Sequence, residues 1–223
     1  MTSIINYLTP KSSLYYEKVQ SIVNKLADIM EYPIVIYGGM VRDMISHYYD
    51  YQRDISVEFT EPNDVDLHIM CPSKHKSFNH FSMNHYNYLM KKLWDNKMIE
   101  KDMTDYVNIY RENYSLVKFV IDDIKFDISA DINHWCIYDD ITDYSVNCLN
   151  VDRNNMIGVR SIDMEVPIIL THIERKELHN VLDRKKLQRY IDYYGEDESI
   201  IQHYENKIAE RCNKMLSKQY HEI

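Results

Sequence analysis

The sequence lacks net positive charge, paired cysteines, a long apolar run and all but a little glycine. Asp and Glu outnumber Lys and Arg by 35 to 26, a formal charge of −9. A surface that grips nucleic acid without regard to sequence shows as net basic charge, so general polyanion binding is excluded; a local basic patch is not. The four cysteines, Cys71, Cys136, Cys148 and Cys212, include no Cys-x-x-Cys pair. That excludes a disulfide framework and points to reduced thiols in a cytosol-like compartment. No apolar stretch reaches the ~20 residues of a membrane span, and the N-terminus turns polar within a few residues, so a soluble, cytoplasmic protein without a secretory leader is expected. Glycine occurs only four times, and two of the four are neighbours.

What is present is ordinary for a globular chain, apart from 20 tyrosines. Richness in Ile, Asn, Lys and Tyr points to an AT-rich genome such as that of a large DNA virus, with the host cytoplasm as the setting. At 223 residues the chain buries a real core, as one domain or one plus a helical appendage.

The organising stretch runs from Ile34 to Ile69. Pro33 to Tyr37 is β-branched and reads as a buried strand. Gly38 and Gly39 end it, and Val41 to Tyr49 reads as a helix. A strand that turns on glycines into a helix offers bare N–H groups and a positive helix end, which suits a phosphate. Asp64 and Asp66 then stand two apart in a second strand, so both share one face while Val65, Leu67 and Ile69 take the other. Paired carboxylates repel unless a cation neutralises them. Magnesium suits such oxygens and commonly links them to substrate phosphates, with manganese as the alternative ion.

Around this stretch, Thr9-Pro10 opens a helix whose apolar spacing continues to Met30. Ile55 to Phe59 alternates and predicts an added edge strand. Tyr48, Tyr49 and Tyr51 read as packing. His75, His80 and His85 are five apart, on no common helix face, so no zinc site is expected. Met83 to Lys97 suits a helix with one apolar side. Strands follow at 105–110, 115–121 and 124–129, the last two joined by Asp122-Asp123 as a hairpin. Residues 150–158 read as a turn and a short strand. Helices are predicted at 168–179, 183–194 and 199–219, with Gly195 as a stop.

Gly38-Gly39-Met40-Val41-Arg42-Asp43 followed by Asp64-Val65-Asp66 resembles the DNA-polymerase-β-like nucleotidyltransferases. The nearest branch is the head of tRNA CCA-adding enzymes and bacterial poly(A) polymerases. Their motifs are Gly-Gly-x-Val-Arg-Asp and Asp-x-Asp in that order. The resemblance implies nucleotide binding by Gly38, Gly39, Arg42 and Asp43, and two metal ions on Asp64 and Asp66. It also implies a third carboxylate on a later strand. That role falls to Asp127, with Asp123 and Asp131 as competitors for the register. Asp143 to Leu149 resembles a further family motif, but Ile141-Thr142 replace its paired arginines; Arg153 or Arg160 are the candidate substitutes. Leu182 to Arg189 resembles the base-reading neck motif, which makes Asp183, Lys186 and Arg189 nucleotide-binding candidates. Lysine at 186 lacks the planar fork of arginine, so base choice is expected to be looser or altered. The resemblance spans about Ile34 to Gly195, and the family's large helical body has no counterpart in Glu196 to Ile223.

The fold class implied is α/β (α+β): a mixed, mostly antiparallel sheet of about five strands backed by helices, with a small helical neck. Residues 1–160 form the head with its N-terminal helix, and 161–223 the neck-like segment. The activity implied is template-independent, two-metal transfer of a nucleoside monophosphate to an acceptor hydroxyl, an RNA 3′ end foremost. The alternatives are a protein or small-molecule acceptor, or a degenerate nucleotide-binding module.

Overall fold

The computed structural model describes residues 2–70, 91–98, 107–110, 114–131, 144–160, 164–181 and 198–222. It is a mixed α/β fold. Strands β1 (Thr2–Ser3), β2 (Ile34–Tyr37), β3 (Val65–Ile69), β4 (Val107–Tyr110), β5 (Tyr114–Ile121), β6 (Ile124–Asp131), β7 (Leu149–Val151) and β8 (Met156–Val159) form one sheet. Its order is β1-β8-β7-β2-β3-β6-β5-β4. Every pairing in it is antiparallel except β3 with β6. The sheet exceeds five strands because short β1, β7 and β8 extend it beyond β2.

Alternation makes the sheet two-faced. The register sets Ile36, Leu67 and Ile128 side by side, with Val65, Phe126 and Phe119 in the next row. All six are buried. Helices α1 (Pro10–Met30) and α2 (Gly39–Arg53) pack on the sheet, α2 touching β2, β3 and β7. The helix start at Thr9 is real: Thr9 and Ser12 form a capping box, which satisfies two N–H groups that the first turn leaves without partners. On α1 the stripe Val19, Ile22, Val23, Leu26 and Met30 is buried. Each such side chain contributes about 1.5–3 kcal/mol when removed from water, so this face, not the short edge strands, sets the stability of the sheet.

Two local expectations change. Ile55 to Phe59 forms no strand: Asp54 Oδ1 accepts from Ser56 N–H at 2.9 Å and from its hydroxyl at 2.7 Å, curling the backbone into a turn. Phe59 instead packs against Tyr15 and His47. The helix expected to 179 ends at Arg175, where Lys176 takes a left-handed conformation (φ 58°), and β9 (Glu177–Leu178) follows. That helix, α3 (Val166–Arg175), packs on α2. The last helix, α4 (Glu198–Leu216), leads to β10 (His221–Glu222), which pairs in parallel with β9. Residues 183–194, the cluster His75, His80 and His85, and the start of the 83–97 helix lie outside the described residues. Among the described residues, no helix is long and apolar enough to cross a membrane.

Candidate active site

The polar face of the sheet carries one row at its centre. Tyr37 on β2 pairs with Asp66 on β3, and Asp66 pairs with Asp127 on β6. Directly opposed residues point to the same face, so a tyrosine and two carboxylates stand side by side. Lys118, opposite Asp127 on β5, closes the row with an ion pair of 2.7 Å. The register also separates the three competing aspartates. Asp123 sits in the hairpin turn, where it and Asp122 both have positive φ (65° and 50°), as a two-residue turn between twisted strands requires. Asp131 is four residues beyond Asp127, about 13 Å along the strand. Asp127 is the one beside Asp66.

Asp66 is a strained anion. Burial, then the charges of Asp64 and Asp127, push its pKa up to about 6, against the pull of Arg211 and Lys214. Its Oδ2 also explains Gly38. With φ 70°, Gly38 turns the chain from β2 into α2, and a Cβ there would lie 3.2 Å from that oxygen. Both the conformation and the space call for glycine.

Gly38 and Gly39 differ in what they offer. The N–H of Gly38 is already spent on the Leu149 carbonyl at 3.1 Å. The N–H groups from Gly39 onward open α2, and no residue within the helix can accept from its first turn. Arg42, a nucleotide-binding candidate by sequence, is almost wholly buried and turned inward. Its Nε donates to Asp43 Oδ1 at 2.8 Å and another guanidinium N–H to Asn147 Oδ1, tying α2 to the short helical turn Ser145–Asn147. It positions the loop and, though mostly buried, still contributes to the lining of the cleft beside α2.

The two substitute arginines lie at opposite ends of β2. Arg153 pairs with Asp28 on α1 through an exposed bridge of 2.8 Å, worth at most about 1 kcal/mol. Arg160 is at the site end: its backbone N–H donates to the Cys148 carbonyl, and its guanidinium stacks 4.5 Å over the Tyr37 ring, beside Asp66. Asp183, Lys186 and Arg189 lie outside the described residues.

Sequence reasoning missed the C-terminal contribution. A cleft of about 660 Å³ runs along α2 from Gly39 and Asp64 to Lys176, Lys214, Lys218 and Tyr220. Lys218 pairs with Asp43 Oδ2 at 2.5 Å. Lys176 bonds Ser46 and, at 2.8 Å, Asp50. Lys214 and Lys218 are four apart at a helix end, a spacing with no signal of its own; tertiary packing brings them here.

One group of ligand-type side chains lies apart from this. His172, Glu177 and His179 have ligand atoms within 4.8 Å of one another. The two imidazoles are stacked at 3.6 Å and 18°, so no point lies in both ring planes where one ion could meet both lone pairs. They pack as a pair. The Asp64, Asp66 and Asp127 oxygens do not converge as tightly: like charges spread, and Lys118 draws Asp127 aside.

The site thus joins a glycine turn, a helix start and the carboxylates of Asp66 and Asp127 on neighbouring strands, with Asp64 just before β3. No family model and no curated protein matches the sequence. Among solved structures the chain is similar to the Thermotoga maritima CCA-adding enzyme complexed with tRNA. The identity is 9% and the TM-score 0.45, over 81% of this chain and 37% of that one. A CCA-adding enzyme with CTP gives 10% and 0.42, over 81% and 36%. A tRNA-processing enzyme in an apo form gives 16% and 0.42, over 73% and 35%. The chain thus spans under two fifths of these proteins' length.

Proposed function

We propose that the chain is a template-independent nucleotidyltransferase, moving a nucleoside monophosphate from a nucleoside triphosphate to the 3′ hydroxyl of an RNA, in the cytoplasm. The observation that carries the reading is the register Asp66–Asp127 beside the Gly38 turn and the start of α2. The sequence motifs at 38–43 and 64–66 support it. The donor set fits magnesium, or manganese: Asp64, Asp66 and Asp127 supply hard carboxylate oxygens, and the raised pKa of Asp66 reports a charge that needs a counter-ion. Divalent ions held there would polarise the α-phosphate and stabilise the departing pyrophosphate.

The remaining work belongs to the chain. The N–H groups from Gly39 onward and the positive end of α2 receive phosphate oxygens. Lys118 fixes the Asp127 carboxylate by holding its Oδ2, which leaves the other oxygen for a ligand. Arg42 locks Asp43 and Asn147, holding the turn in shape. Arg160 on Tyr37 adds a cation at the same end of the sheet.

The test pairs two measurements on Asp64→Asn and Asp66→Asn. With magnesium, each triphosphate and total RNA, pyrophosphate release is expected to fall by at least about a hundredfold, as when an electrostatic partner of the transition state is removed. Without magnesium the melting temperature is expected to hold or rise, because one of two repelling charges is gone. A variant that keeps wild-type turnover sinks the assignment. A second reading, a non-catalytic nucleotide module, is favoured by one observation: Lys118 already neutralises Asp127. Triphosphate binding with no pyrophosphate release to RNA, protein or small-molecule acceptors would establish it.

A further inference from the structure

We propose that Lys214 and Lys218, at the end of α4 and just beyond it, are the seat of the nucleotide's triphosphate. This rests on the nucleotidyltransferase reading and says which residues stand in for the arginines absent at 141–142. The charge count at the start of α2 carries it. Asp43 is one carboxylate with two cations: Arg42 takes Oδ1 at 2.7 Å and Lys218 takes Oδ2 at 2.5 Å. The half-buried cluster is therefore positive by one, at a helix end that is itself positive. Lys214 adds a further cation with no ion pair among the described residues. The cations act on one another: burial lowers the pKa of Lys218, and Arg42 and Lys214 lower it further, against Asp43. Crowded, partly desolvated cations call for an anion.

The same groups face the carboxylates. Arg211 and Lys214 are near enough to Asp66 to pull its pKa down, and Asp64 and Lys214 line one cleft. A metal held at Asp64 and Asp66 would share the oxygens of a triphosphate with the Lys214 and Lys218 ammonium groups, in a cleft that Asp50, Asp54, Glu58 and Glu61 also line. Tyr220 is 3% exposed and lines the cleft, with its hydroxyl against Ser46 of α2 and the Lys176 ammonium 5.3 Å over its ring. The volume of about 660 Å³ lies within the range of small-molecule sites.

The experiment is calorimetric titration with two probes, ATP and inorganic tripolyphosphate, each with magnesium, on wild type, Lys214→Gln, Lys218→Gln, Lys218→Arg and Asp66→Asn. Each lysine-to-glutamine change is expected to raise the Kd of both probes about tenfold or more, the scale of one charge-assisted hydrogen bond. Lys218→Arg is expected to keep most of the affinity. Lys214 is exposed, so its variant reports binding without disturbing a buried contact, and unchanged melting of the free protein checks that. If wild type binds both probes, Asp66→Asn weakens them and the lysine variants do not, the inference falls and the enzyme reading stands. If wild type binds neither probe, both fall. If the lysine variants lose RNA 3′ ends and keep both probes, the cluster serves the acceptor and the inference is overturned.

Discussion

Asp66 has the environment least suited to its charge. Its folded pKa of about 6 lies above the ordinary 3.8, so the folded state binds the proton more tightly than the unfolded chain. Linkage then gives the sign. The contribution favours folding below pH 4, fades as pH rises from about 4 to 6, and is gone above. A hundredfold or so in proton affinity bounds it at about 3 kcal/mol. Metal-free wild type is therefore expected to gain stability relative to Asp66→Asn as pH falls from 7 to 4, read from urea midpoints. Millimolar magnesium is expected to stabilise wild type at pH 7 and progressively less below pH 6, as protons compete for the carboxylate. Parallel pH curves for wild type and variant, with or without magnesium, would contradict the buried-anion account. The face of Asp66 was legible because period-two spacing fixes it, whereas Asp64 stands one residue before β3 (Val65–Ile69). Asp127 follows from Phe126 and Ile128 on either side of it and from the resemblance, but its place beside Asp66 ahead of Asp123 or Asp131 rests on a strand register that no local pattern sets.

Among the elements, α1, β2, β3 and the β5–β6 hairpin follow directly from apolar period, cap and turn residues. The edge strand at 55–59 did not form because Asp54 captures Ser56, a side-chain bond that overrides alternation. The C-terminal strap was the least legible, because β9 and β10 are two residues each and exist only by pairing with one another. What pins the strap is α3. His172 is buried, its Nδ1 lies 2.9 Å from the Ser145 hydroxyl, and its ring stacks on His179. Burial first, then His179 and Arg175, lower its pKa, with Glu177 opposing. A lowered histidine pKa means the unfolded chain binds the proton more tightly. Its contribution is thus complete above about pH 6.5 and is lost as pH falls. This slope is opposite to that of Asp66. The urea midpoint of Asp66→Asn, freed of the competing effect, is expected to drop between pH 7 and 5. In the double variant Asp66→Asn, His172→Gln that dependence is expected to shrink, the remainder belonging to His47, whose pKa burial also lowers. An unchanged acid slope in the double variant would show that the histidine stack does not hold the strap.

For the whole molecule, a charge of −9 and a compact group of cations pull in opposite directions on RNA. The proposed acceptor is a polyanion, and the cations placed by the structure, Lys118, Arg160, Lys214 and Lys218, surround one site instead of forming a track. The sequence candidates Lys186 and Arg189 lie outside the described residues. Contact with about three phosphates of a single strand releases few counter-ions, so the logarithm of affinity should fall with the logarithm of salt at a slope of about −2. Long-range repulsion from the acidic remainder adds to the loss at low salt and is screened as salt rises, over a Debye length of about 10 Å at 0.1 M. Binding of a short single-stranded RNA with a free 3′ end is therefore expected to be weak, and to improve with magnesium and a triphosphate bound, since both bring positive charge or order to the site. Filter binding from 50 to 300 mM salt checks this. Blocking the 3′ hydroxyl should leave affinity nearly unchanged while ending turnover, because charge carries binding and the hydroxyl carries chemistry. Tight RNA binding that ignores salt would require a recognition surface other than this cation cluster, and would overturn an acceptor held by charge at the site alone.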